Sequence, residues 1–372
     1  MHLTAAANKF LCHLDMAGHI KAAQEFVKGG GKIDGVTSIG VDVPLSVASL
    51  AQYLGLPHNK IEAAQLSIDK FAMKQCLQQA GLPIPAFRLI TDLADLQDFM
   101  AQYGKIIVKP VDSRGARGIS LLVAKSGDGA LQTAMMHALS HSPSKRIMAE
   151  SFETGMQFST EGMLVDGQPY PIICVERNYD RLEEFAPAII EDGGHYPCAI
   201  AEDTEQSIET LALNGALAMG AWNSVVKADM VLTPSGPKII EIALRASGGY
   251  LASHQIGLAT GVDFIDALCR LACGLPIEAQ SLIPKRKQAY AIRYFFPNKI
   301  NGGQAMTKIE GLNAWLAHKD VEFIKIQPQI QAISNKIDNH TQRLGCVLVK
   351  GKSVTHAIQL AQTIVQSVKF TK

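Results

Sequence analysis

Residues 225–245 read VVKADMVL, TPSG and PKIIEIALR, which are two apolar runs joined by a turn. Apolar and polar side chains alternate along both runs, and this pattern predicts an antiparallel β-hairpin. A three-residue loop, 234–236, fits a type I turn followed by a glycine with a left-handed backbone. In that register Thr233 pairs with Pro237.

The predicted register brings two carboxylates face to face. Val231 lies opposite Ile239 and Asp229 opposite Glu241, so both carboxylates point to the same side of the sheet. The other side is the predicted core face, on which Lys238 is the one exception among Val226, Ala228, Met230, Leu232, Ile240, Ile242 and Leu244. Like charges placed opposite each other cost up to roughly 1 kcal/mol, so we expect a counter-charge.

A divalent cation that prefers oxygen ligands, most simply Mg²⁺, would supply that counter-charge. The cation takes one or two carboxylates and completes its shell with water and phosphate oxygens. Arg245 lies on the same face as Glu241 and would be placed to contact phosphate. Taken alone, the hairpin leaves a second interpretation equally open, in which Asp229 and Glu241 are solvated residues on an outer face.

Composition excludes several classes of protein. The chain has 372 residues, and 35 basic residues against 34 acidic ones give a formal charge of +1. This balance excludes a broad basic field for nucleic acid. The uncharged stretch 211–226 is too short and too polar to span a bilayer. Seven cysteines, an odd number spread over a long chain, argue against a disulfide framework, and no secretory leader is visible, so a cytoplasmic location is expected.

Strand and helix patterns alternate along the first two thirds of the chain. The predicted strands are 35–40, 87–90, 105–109, 119–123 and 146–150. The predicted helices are 43–55, 67–81 and 204–221. A second hairpin, 157–165 with 168–175, is joined by Asp166-Gly167, a favoured turn dipeptide, and segment 176–192 is predicted to be irregular.

A lysine and a glycine-containing loop suggest a phosphate site. Lys109 ends an apolar strand, and loop 112–118 offers small residues whose N–H groups can approach a polyphosphate closely. The loop matches neither the P-loop nor the dinucleotide fingerprint, so a surface turn is the alternative. Glu150, before Ser151 and Phe152, is either part of a hinge whose backbone contacts an adenine edge or an ordinary charge at a strand end.

The order of these features resembles the ATP-grasp superfamily, in the branch that contains carbamoyl-phosphate synthetase halves, glycinamide ribonucleotide synthetase-like proteins and L-amino acid ligases. The matching segments are 69–74 with 81–85, 107–110 with 113–118, 150–152, 194–197, 240–245 with 247–249, and 342–345. The resemblance implies a mixed α/β (α+β) ATP-grasp fold. It also implies a shortened N-terminal α/β domain (1–66), an ATP-grasp domain (67–282) and a closing C-terminal αβ domain (283–372).

The resemblance also implies roles for individual residues. Nucleotide contacts are implied for Lys70, Lys109, Ser113, Arg114, Gly115, Gly118, Glu150, Ser151, Phe152 and Gln157, the last at a position where many relatives carry glutamate. Asp229 and Glu241 match magnesium carboxylates, and Arg245, with Lys109, matches the groups that stabilise the transferred phosphate. Arg177 and His195 are candidates for contacts with the substrate, with a structural role as the alternative for His195. Ser247, Gly248 and Gly249 either leave room for an acyl group or form a turn. Ala243 stands where relatives often have an asparagine for a second metal ion.

The expected activity is the ATP- and Mg²⁺-dependent ligation of a carboxylate to an amine through an acylphosphate, with Mn²⁺ as an alternative metal ion. Two other hypotheses stay open. One is a carbamoyl-phosphate synthetase or carboxylase-like enzyme that activates bicarbonate, and the other is a nucleotide-binding module that has lost ligase chemistry. The expected partners are small-molecule carboxylates and amines, with neither nucleic acid nor membrane among them and a homodimer as an open option.

Overall fold

The computed structural model describes residues 15–297, 308–327 and 337–371. Predictions that fall on the remaining residues, which include the start of the expected N-terminal domain and parts of the expected C-terminal domain, lie outside the described residues. The paired strands of the described part are antiparallel, and helices pack against the sheets. This arrangement is of the α+β kind.

Helices make up the regular structure before the first described strand. They are α1 (Met16–Lys28), α2 (Pro44–Tyr53), α3 (Ile61–Leu66) and α4 (Lys70–Gln79). Asp69 caps α4 by accepting a hydrogen bond from the N–H of Ala72. The strand predicted at 35–40 is wrong. That segment makes one parallel bridge, between Ile39 and Ala246, because it lies beside a loop that offers no continuous edge for a strand.

The smaller sheet contains four strands in the order β1-β4-β2-β3. These are β1 (Phe87–Ile90), β2 (Lys105–Pro110), β3 (Ser120–Val123) and β4 (Ile147–Ser151). Two helices, α5 (Leu93–Tyr103) and α6 (Asp128–Ser140), cover one face. Asp92 caps α5, and the apolar stripe of that helix buries Leu96 and Phe99 against the strands. The opposite face of this sheet is left for the site described below.

The larger sheet has eight strands in the order β12-β13-β10-β7-β6-β5-β8-β9, and β11 pairs with β14 separately. The strands are β5 (Met156–Val165), β6 (Gln168–Asn178), β7 (Gly193–Tyr196), β8 (Ser224–Thr233), β9 (Gly236–Ala243), β10 (Tyr290–Phe295), β11 (Lys308–Glu310), β12 (Val321–Ile326), β13 (Gly345–Lys350) and β14 (Lys369–Thr371). The helices that accompany them are α7 (Leu182–Phe185), α8 (Glu202–Ala218), α9 (Ile256–Thr260), α10 (Phe264–Cys273) and α11 (Val354–Ser367).

No described helix combines the length and the apolar character that crossing a membrane requires.

Two parts of the predicted strand pattern need correction. Segment 176–192 is not wholly irregular, because β6 continues to Asn178 and α7 adds a helical turn. Strand β7 was missed. It is short and carries two glycines, so its sequence has little β propensity. The segment is a strand because it pairs with β6 on one side and β10 on the other.

The β8–β9 hairpin pairs Asp229 with Glu241 as predicted, but its turn is different. Thr233 pairs with Gly236 across a two-residue turn, which shifts Val231 to lie opposite Lys238. A β-bulge between this part and the Asp229–Glu241 pair then restores the predicted register.

The bulge exchanges the faces of the hairpin on which two isoleucines lie. Ile239 is fully buried in the core, whereas Ile240, predicted for the core face, lines a cleft on the other side. The shifted turn also explains Lys238, which was the one charged residue on the predicted core face. Lys238 is opposite Val231 and reaches Glu153, so it does not interrupt the core face.

Helix α8 packs across the core face of the hairpin. The shared core includes Met73 and Leu77 from α4 and Phe158 from β5. Gly215 makes the close approach possible, since a Cβ atom there would lie 2.5 Å from Ile242 Cδ1. Each fully buried aliphatic or aromatic side chain contributes about 1.5–3 kcal/mol, so this core holds the hairpin in place and leaves its other face for charged groups.

Candidate functional site

A cleft of about 380 Å³ lies between the smaller sheet and the outer face of the β8–β9 hairpin. It is lined by Lys70, Lys109, Ser113, Arg114, Gly115, Glu150, Ser151, Phe152, Gln157, Arg177, Asp229, Glu241, Arg245, Ser247, Gly248 and Gly249, together with residues that were not predicted. A larger cavity of about 680 Å³ beside α11 contains none of these side chains. The smaller cleft is therefore the candidate site.

Two predicted site residues do not line this cleft. His195, on β7, is buried, and its Nε2 atom lies 3.2 Å from Oε2 of Glu176 on the neighbouring strand. Gly118 lies beneath the loop, where an added Cβ would come within 2.8 Å of Pro110 and His141. Both positions are explained by packing, so the predictions that His195 contacts substrate and that Gly118 contacts nucleotide receive no support from the geometry.

A buried cluster at the inner end of the cleft contains two lysines and one carboxylate. Glu150 Oε1 lies 2.8 Å from Lys109 Nζ and 3.6 Å from Lys74 Nζ. Burial raises the pKa of Glu150, but the two lysines outweigh it and leave that pKa below its usual value. Burial lowers the pKa of Lys74 to about 8, with Glu150 opposing the shift. With both lysines protonated the cluster carries an excess positive charge, which favours an anion.

Lys74 was missed in the sequence. It lies four residues after Lys70 on α4, and residues at this spacing share a helix face. Besides its contact with Glu150, Lys74 donates a hydrogen bond to the carbonyl of Ile239, 3.0 Å away. The same helix therefore sends two lysines toward the hairpin, and their spacing was the available signal.

Lys70 links the glycine-containing loop to the hairpin. Its Nζ atom lies 3.2 Å from Glu241 Oε1 and donates to the carbonyl of Ser113 at 2.8 Å. Positive φ angles at Gly115 and Ala116 turn the loop over the cleft. The N–H of His340, from the C-terminal part of the chain, donates to the carbonyl of Gly115 at 3.1 Å. The loop is thus held from both sides.

Asp229 is surrounded by cations that the hairpin pattern did not reveal. Arg177 Nη1 lies 2.9 Å from Asp229 Oδ1, and Lys227 pairs with the other oxygen. Burial raises the pKa of Asp229, but Arg177 and Lys227 more than reverse this and hold it well below the usual range. The expectation that a divalent ion is needed as counter-charge is therefore corrected. Side chains from β6 and β8 neutralise Asp229, and Lys70 lies beside Glu241.

The donor set nevertheless suits a magnesium ion. Asp229 and Glu241 are paired on adjacent strands and both line the cleft. Asp229 Oδ1 is buried and, apart from its ion pair with Arg177, makes no hydrogen bond among the described residues. Mg²⁺ needs only one or two carboxylates when water and phosphate supply the remaining oxygens. The described residues contain no group of three or more His, Cys, Asp or Glu placed to hold a metal ion, and Ala243 adds no oxygen ligand.

Arg245 is held by a residue far away in the sequence. Its Nε atom pairs with Asp42, and its Nη1 atom donates to the carbonyl of Ala246 at 3.0 Å. Burial lowers the pKa of Arg245, but Asp42 outweighs it and the net pKa is raised. Asp42 was not predicted, because only the three-dimensional contact links segment 39–42 with the end of β9.

The far side of the cleft is closed by the C-terminal part of the chain. Arg343 lies over the ring of Tyr294, 3.7 Å from its centroid, and donates to the carbonyl of Glu191 at 2.5 Å. Glu191 also pairs with Arg177 at 2.8 Å. Burial lowers the pKa of His340 to about 3, so this imidazole is neutral at pH 7. Arg343 lies in the motif at 342–345, but its contact with the cleft was not predicted.

The segment after β4 is more constrained than a free hinge. The N–H of Phe152 donates to the carbonyl of Lys105 at 2.9 Å, and the Lys105 ammonium lies 3.9 Å from the centre of the Phe152 ring. Ser151 donates its hydroxyl to Glu153. The Phe152 N–H is therefore engaged within the protein, so the expected backbone contact with adenine receives no support from this group.

Comparisons with known proteins agree with this architecture. A family model described as L-amino acid ligase C-terminal domain 2 matches residues 305–371. The solved L-amino acid ligase of Bacillus licheniformis superimposes with a TM-score of 0.80 at 19% identity, covering 96% of this chain and 85% of that one. Phosphoribosylglycinamide synthetase from Anaerococcus prevotii superimposes with a TM-score of 0.70 at 16% identity, covering 98% and 88%.

Sequence similarity extends to a curated relative. The D-alanine–D-alanine ligase of Acinetobacter baumannii is 29% identical over 191 residues, which are 48% of this chain and 58% of that protein. The match thus spans little more than half the length of that relative. These likenesses confirm the resemblance of the sequence to the ATP-grasp superfamily, and the chain has the fold of these proteins. Within it, the chain is similar to an L-amino acid ligase over nearly its whole length.

Proposed function

We propose that this protein is an ATP- and Mg²⁺-dependent ligase that joins a carboxylate to an amine. The observation that carries the proposal is the pairing of Asp229 with Glu241 in a cleft that also contains Lys109 and Arg245. Relatives of this chain are named as ligases of amino acids, including an L-amino acid ligase and a D-alanine–D-alanine ligase. Small-molecule carboxylates and amines are accordingly its proposed partners.

The proposed chemistry has two steps. A carboxylate oxygen of the acid substrate attacks the γ-phosphorus of ATP, and the bond to the β-phosphate oxygen breaks, which releases ADP. The amine nitrogen then attacks the acyl carbon of the acylphosphate, loses a proton and expels phosphate. Neither step needs a covalent bond to the protein, so catalysis depends on positioning and on charge.

The residues divide this work along the cleft. Lys109 and Lys70, with the loop that includes Ser113, Arg114 and Gly115, would hold the polyphosphate. Asp229 and Glu241 would bind Mg²⁺ or Mn²⁺, which when bound offsets the negative charge of the phosphates. Arg245 would stabilise the charge on the transferred phosphoryl group, because Asp42 and Ala246 fix the direction of its guanidinium. Gln157, Ser151 and Phe152 would border the nucleoside.

The proposed domain division retains 1–66, 67–282 and 283–372. Contacts between the parts support a shared cleft. Asp42 from the first part pairs with Arg245, and His340 from the last part bonds to Gly115. Each flanking part would therefore contribute to the site of the central one.

A nucleotide-binding module without ligase chemistry is the second candidate. Ala243 favours it, because this buried residue faces Lys227 across the hairpin without an oxygen ligand in its side chain. The two candidates differ in turnover, since both predict binding of ATP.

An ADP-release assay with Mg²⁺ separates them. Purified protein is supplied with ATP and a panel of amino acids and other carboxylates, with and without amines, and hydroxylamine is added to trap an acylphosphate. The ligase predicts carboxylate-dependent ADP release and formation of a hydroxamate. Binding of ATP without turnover across the whole panel would instead support the module.

A further inference from the structure

Glu161 is a buried carboxylate to which the proposed chemistry assigns no role. It lies on β5, directly opposite Lys227 of β8, and only 1% of its surface is exposed. One oxygen, Oε1, accepts a hydrogen bond from the N–H of Ser247 at 2.8 Å. The other oxygen has no hydrogen-bond partner among the described residues. Burying such a group is costly, so its position calls for a specific explanation.

The loop that Glu161 contacts forms part of the cleft wall. Ser247, Gly248 and Gly249 all line the cleft. A Cβ atom on Gly248 would lie 3.2 Å from the Cα of Gly40, and one on Gly249 would lie 2.7 Å from the Tyr294 hydroxyl. The loop is therefore confined by its neighbours on two sides, and the bond from Glu161 to Ser247 fixes its beginning.

The place of this loop in the chain, after the end of β9, assigns it to the substrate end of the cleft. Near the start of β9, the backbone carbonyl of Ile239 contacts Lys74 of the inner lysine cluster. Farther along the chain, Glu241 contacts Lys70, and Arg245 pairs with Asp42. The loop follows Arg245 in the chain and approaches Gly40 and Tyr294, neither of which is among the groups proposed for the phosphates.

We propose that Glu161 is a positioning residue that fixes the Ser247–Gly249 loop through the Ser247 N–H and so shapes the pocket for the acid substrate. The proposal rests on the proposed ligase function and adds a residue to it. Glu161 acts through the loop and touches neither nucleotide nor reacting atoms. A hydrogen bond to a carboxylate is roughly twice as strong as one to a neutral acceptor, so ionised Glu161 holds the loop best.

The charge of Glu161 depends on the balance between its burial and the hydrogen-bond donors and cations near it. Burial raises its pKa to about 7, while Ser247, Arg245 and Lys227 oppose that rise. Arg245 comes from the segment after β9 and Lys227 from β8, and Ile173 on β6, its other strand neighbour, is apolar. The carboxylate therefore gains its charge as the pH rises through about 7, and the loop should become better fixed over the same range.

Steady-state kinetics of Glu161→Gln tests the assignment. The glutamine oxygen can still accept from Ser247, but it carries no charge, so we expect the KM for the acid substrate to rise about tenfold while the KM for ATP stays within about twofold. In the wild type the KM for the acid should fall as the pH rises through about 7, and this dependence should be lost in Glu161→Gln.

Glu209→Gln is the matched control. Burial also raises the pKa of Glu209 to about 7, but Glu209 lies on α8 and does not line the cleft. This variant should keep both KM values and the pH dependence of the wild type. Glu161→Asp is a second variant, because it keeps the charge but shortens the reach to Ser247. It should raise the KM for the acid, and thermal unfolding with ATP binding verifies that each variant is folded.

The outcomes separate this inference from the function on which it rests. A wild-type protein with no carboxylate-dependent turnover contradicts the ligase itself. An active wild type whose kinetics and pH profile are unchanged by Glu161→Gln leaves the ligase standing and overturns the role of Glu161. Equal increases in the KM for ATP and for the acid would also overturn it, since they would indicate a general loosening of the fold.

Discussion

The two faces of the β8–β9 hairpin are organised by different interactions. On the core face, Met230, Ile239 and Ile242 pack against α4 and α8 and exclude water. On the cleft face, Asp229 and Glu241 pair with cations from other elements, among them Arg177 on β6 and Lys70 on α4. The comparison shows that an apolar face can be recognised from its own residues, whereas the properties of a charged face depend on the neighbours that the fold brings to it.

The bulge at Ile240 marks the boundary between these faces. It turns Ile239 into the core and leaves Ile240 beside Glu241 in the cleft. Two chemically identical side chains at consecutive positions therefore have opposite environments. This allows the comparison to be tested with matched variants.

The largest effect is expected for Ile239→Asp. An unpaired carboxylate in this fully buried position should destabilise the protein by more than about 5 kcal/mol and prevent folding. Ile240→Asp is the matched control and should fold with a loss below about 1 kcal/mol, because its side chain reaches the cleft. Thermal unfolding followed by circular dichroism measures both. A larger loss for Ile240→Asp than for Ile239→Asp would mean that the hairpin lacks the bulge and keeps the predicted register throughout.

Much of this hairpin was predictable from sequence, and the reason is local. Alternation and a short turn predict which strands pair, and the Asp229–Glu241 pair was confirmed. The turn itself was predicted one residue too long, because a bulge that compensates for a shorter turn leaves no mark in the pattern of apolar residues. Ile240 and Lys238 were assigned to the wrong face for that reason.

The ion pairs of the cleft were less predictable, because their partners are distant in the chain. Arg177 and Asp229 are brought together only when β5 is inserted between β6 and β8. Asp42 is 203 residues from Arg245. The residue pattern and the family resemblance both singled out Lys109 and Arg245. Neither gave a role to Lys74, Lys227 or Glu161, whose significance depends on burial and on their partners.

Glu241→Gln should have the next largest effect, and it acts on turnover. The amide has no charge and is a poorer ligand for Mg²⁺, so we expect ADP release to fall about 1000-fold, which corresponds to about 4 kcal/mol of transition-state stabilisation. The unfolding temperature should change little, since Glu241 is partly exposed in the cleft. ADP release is measured over a series of Mg²⁺ concentrations.

Glu202→Gln serves as the control for this variant, because Glu202 lies at the exposed start of α8 and pairs with Lys287 on the surface. Its turnover should equal that of the wild type. Wild-type turnover in Glu241→Gln would remove Glu241 from the proposed metal site, whatever the control shows.

The pH dependence of stability should differ between two carboxylates on neighbouring strands. Asp229, with its lowered pKa, stabilises the fold above its unfolded pKa and loses that contribution as the pH falls. Glu161 has the opposite sign, because burial raises its pKa to about 7 from 4.5. Its contribution is complete below pH 4.5 and is lost as the pH rises to about 7, which amounts to about 3 kcal/mol.

Urea unfolding of the wild type and Glu161→Gln at several pH values measures this contribution. The wild type should lose up to about 3 kcal/mol relative to the variant between pH 4.5 and pH 8. Glu153→Gln is the control, since Glu153 is partly exposed and pairs with Lys238. A difference between wild type and Glu161→Gln that does not vary with pH would show that folding leaves the pKa of Glu161 unchanged.

The smallest effect is expected at Lys238, near the turn of the same hairpin. Lys238 Nζ lies 2.9 Å from Glu153 Oε2, and both side chains are partly exposed. Water and salt screen such a pair, so Lys238→Ala should cost less than about 1 kcal/mol, and added salt should reduce that cost further. Urea unfolding at low and high salt measures it. If Lys238 instead lay on the core face, as the alternation of residues suggested, alanine would relieve a buried charge and stabilise the protein. The sign of this small change therefore reports on which face of the hairpin Lys238 lies.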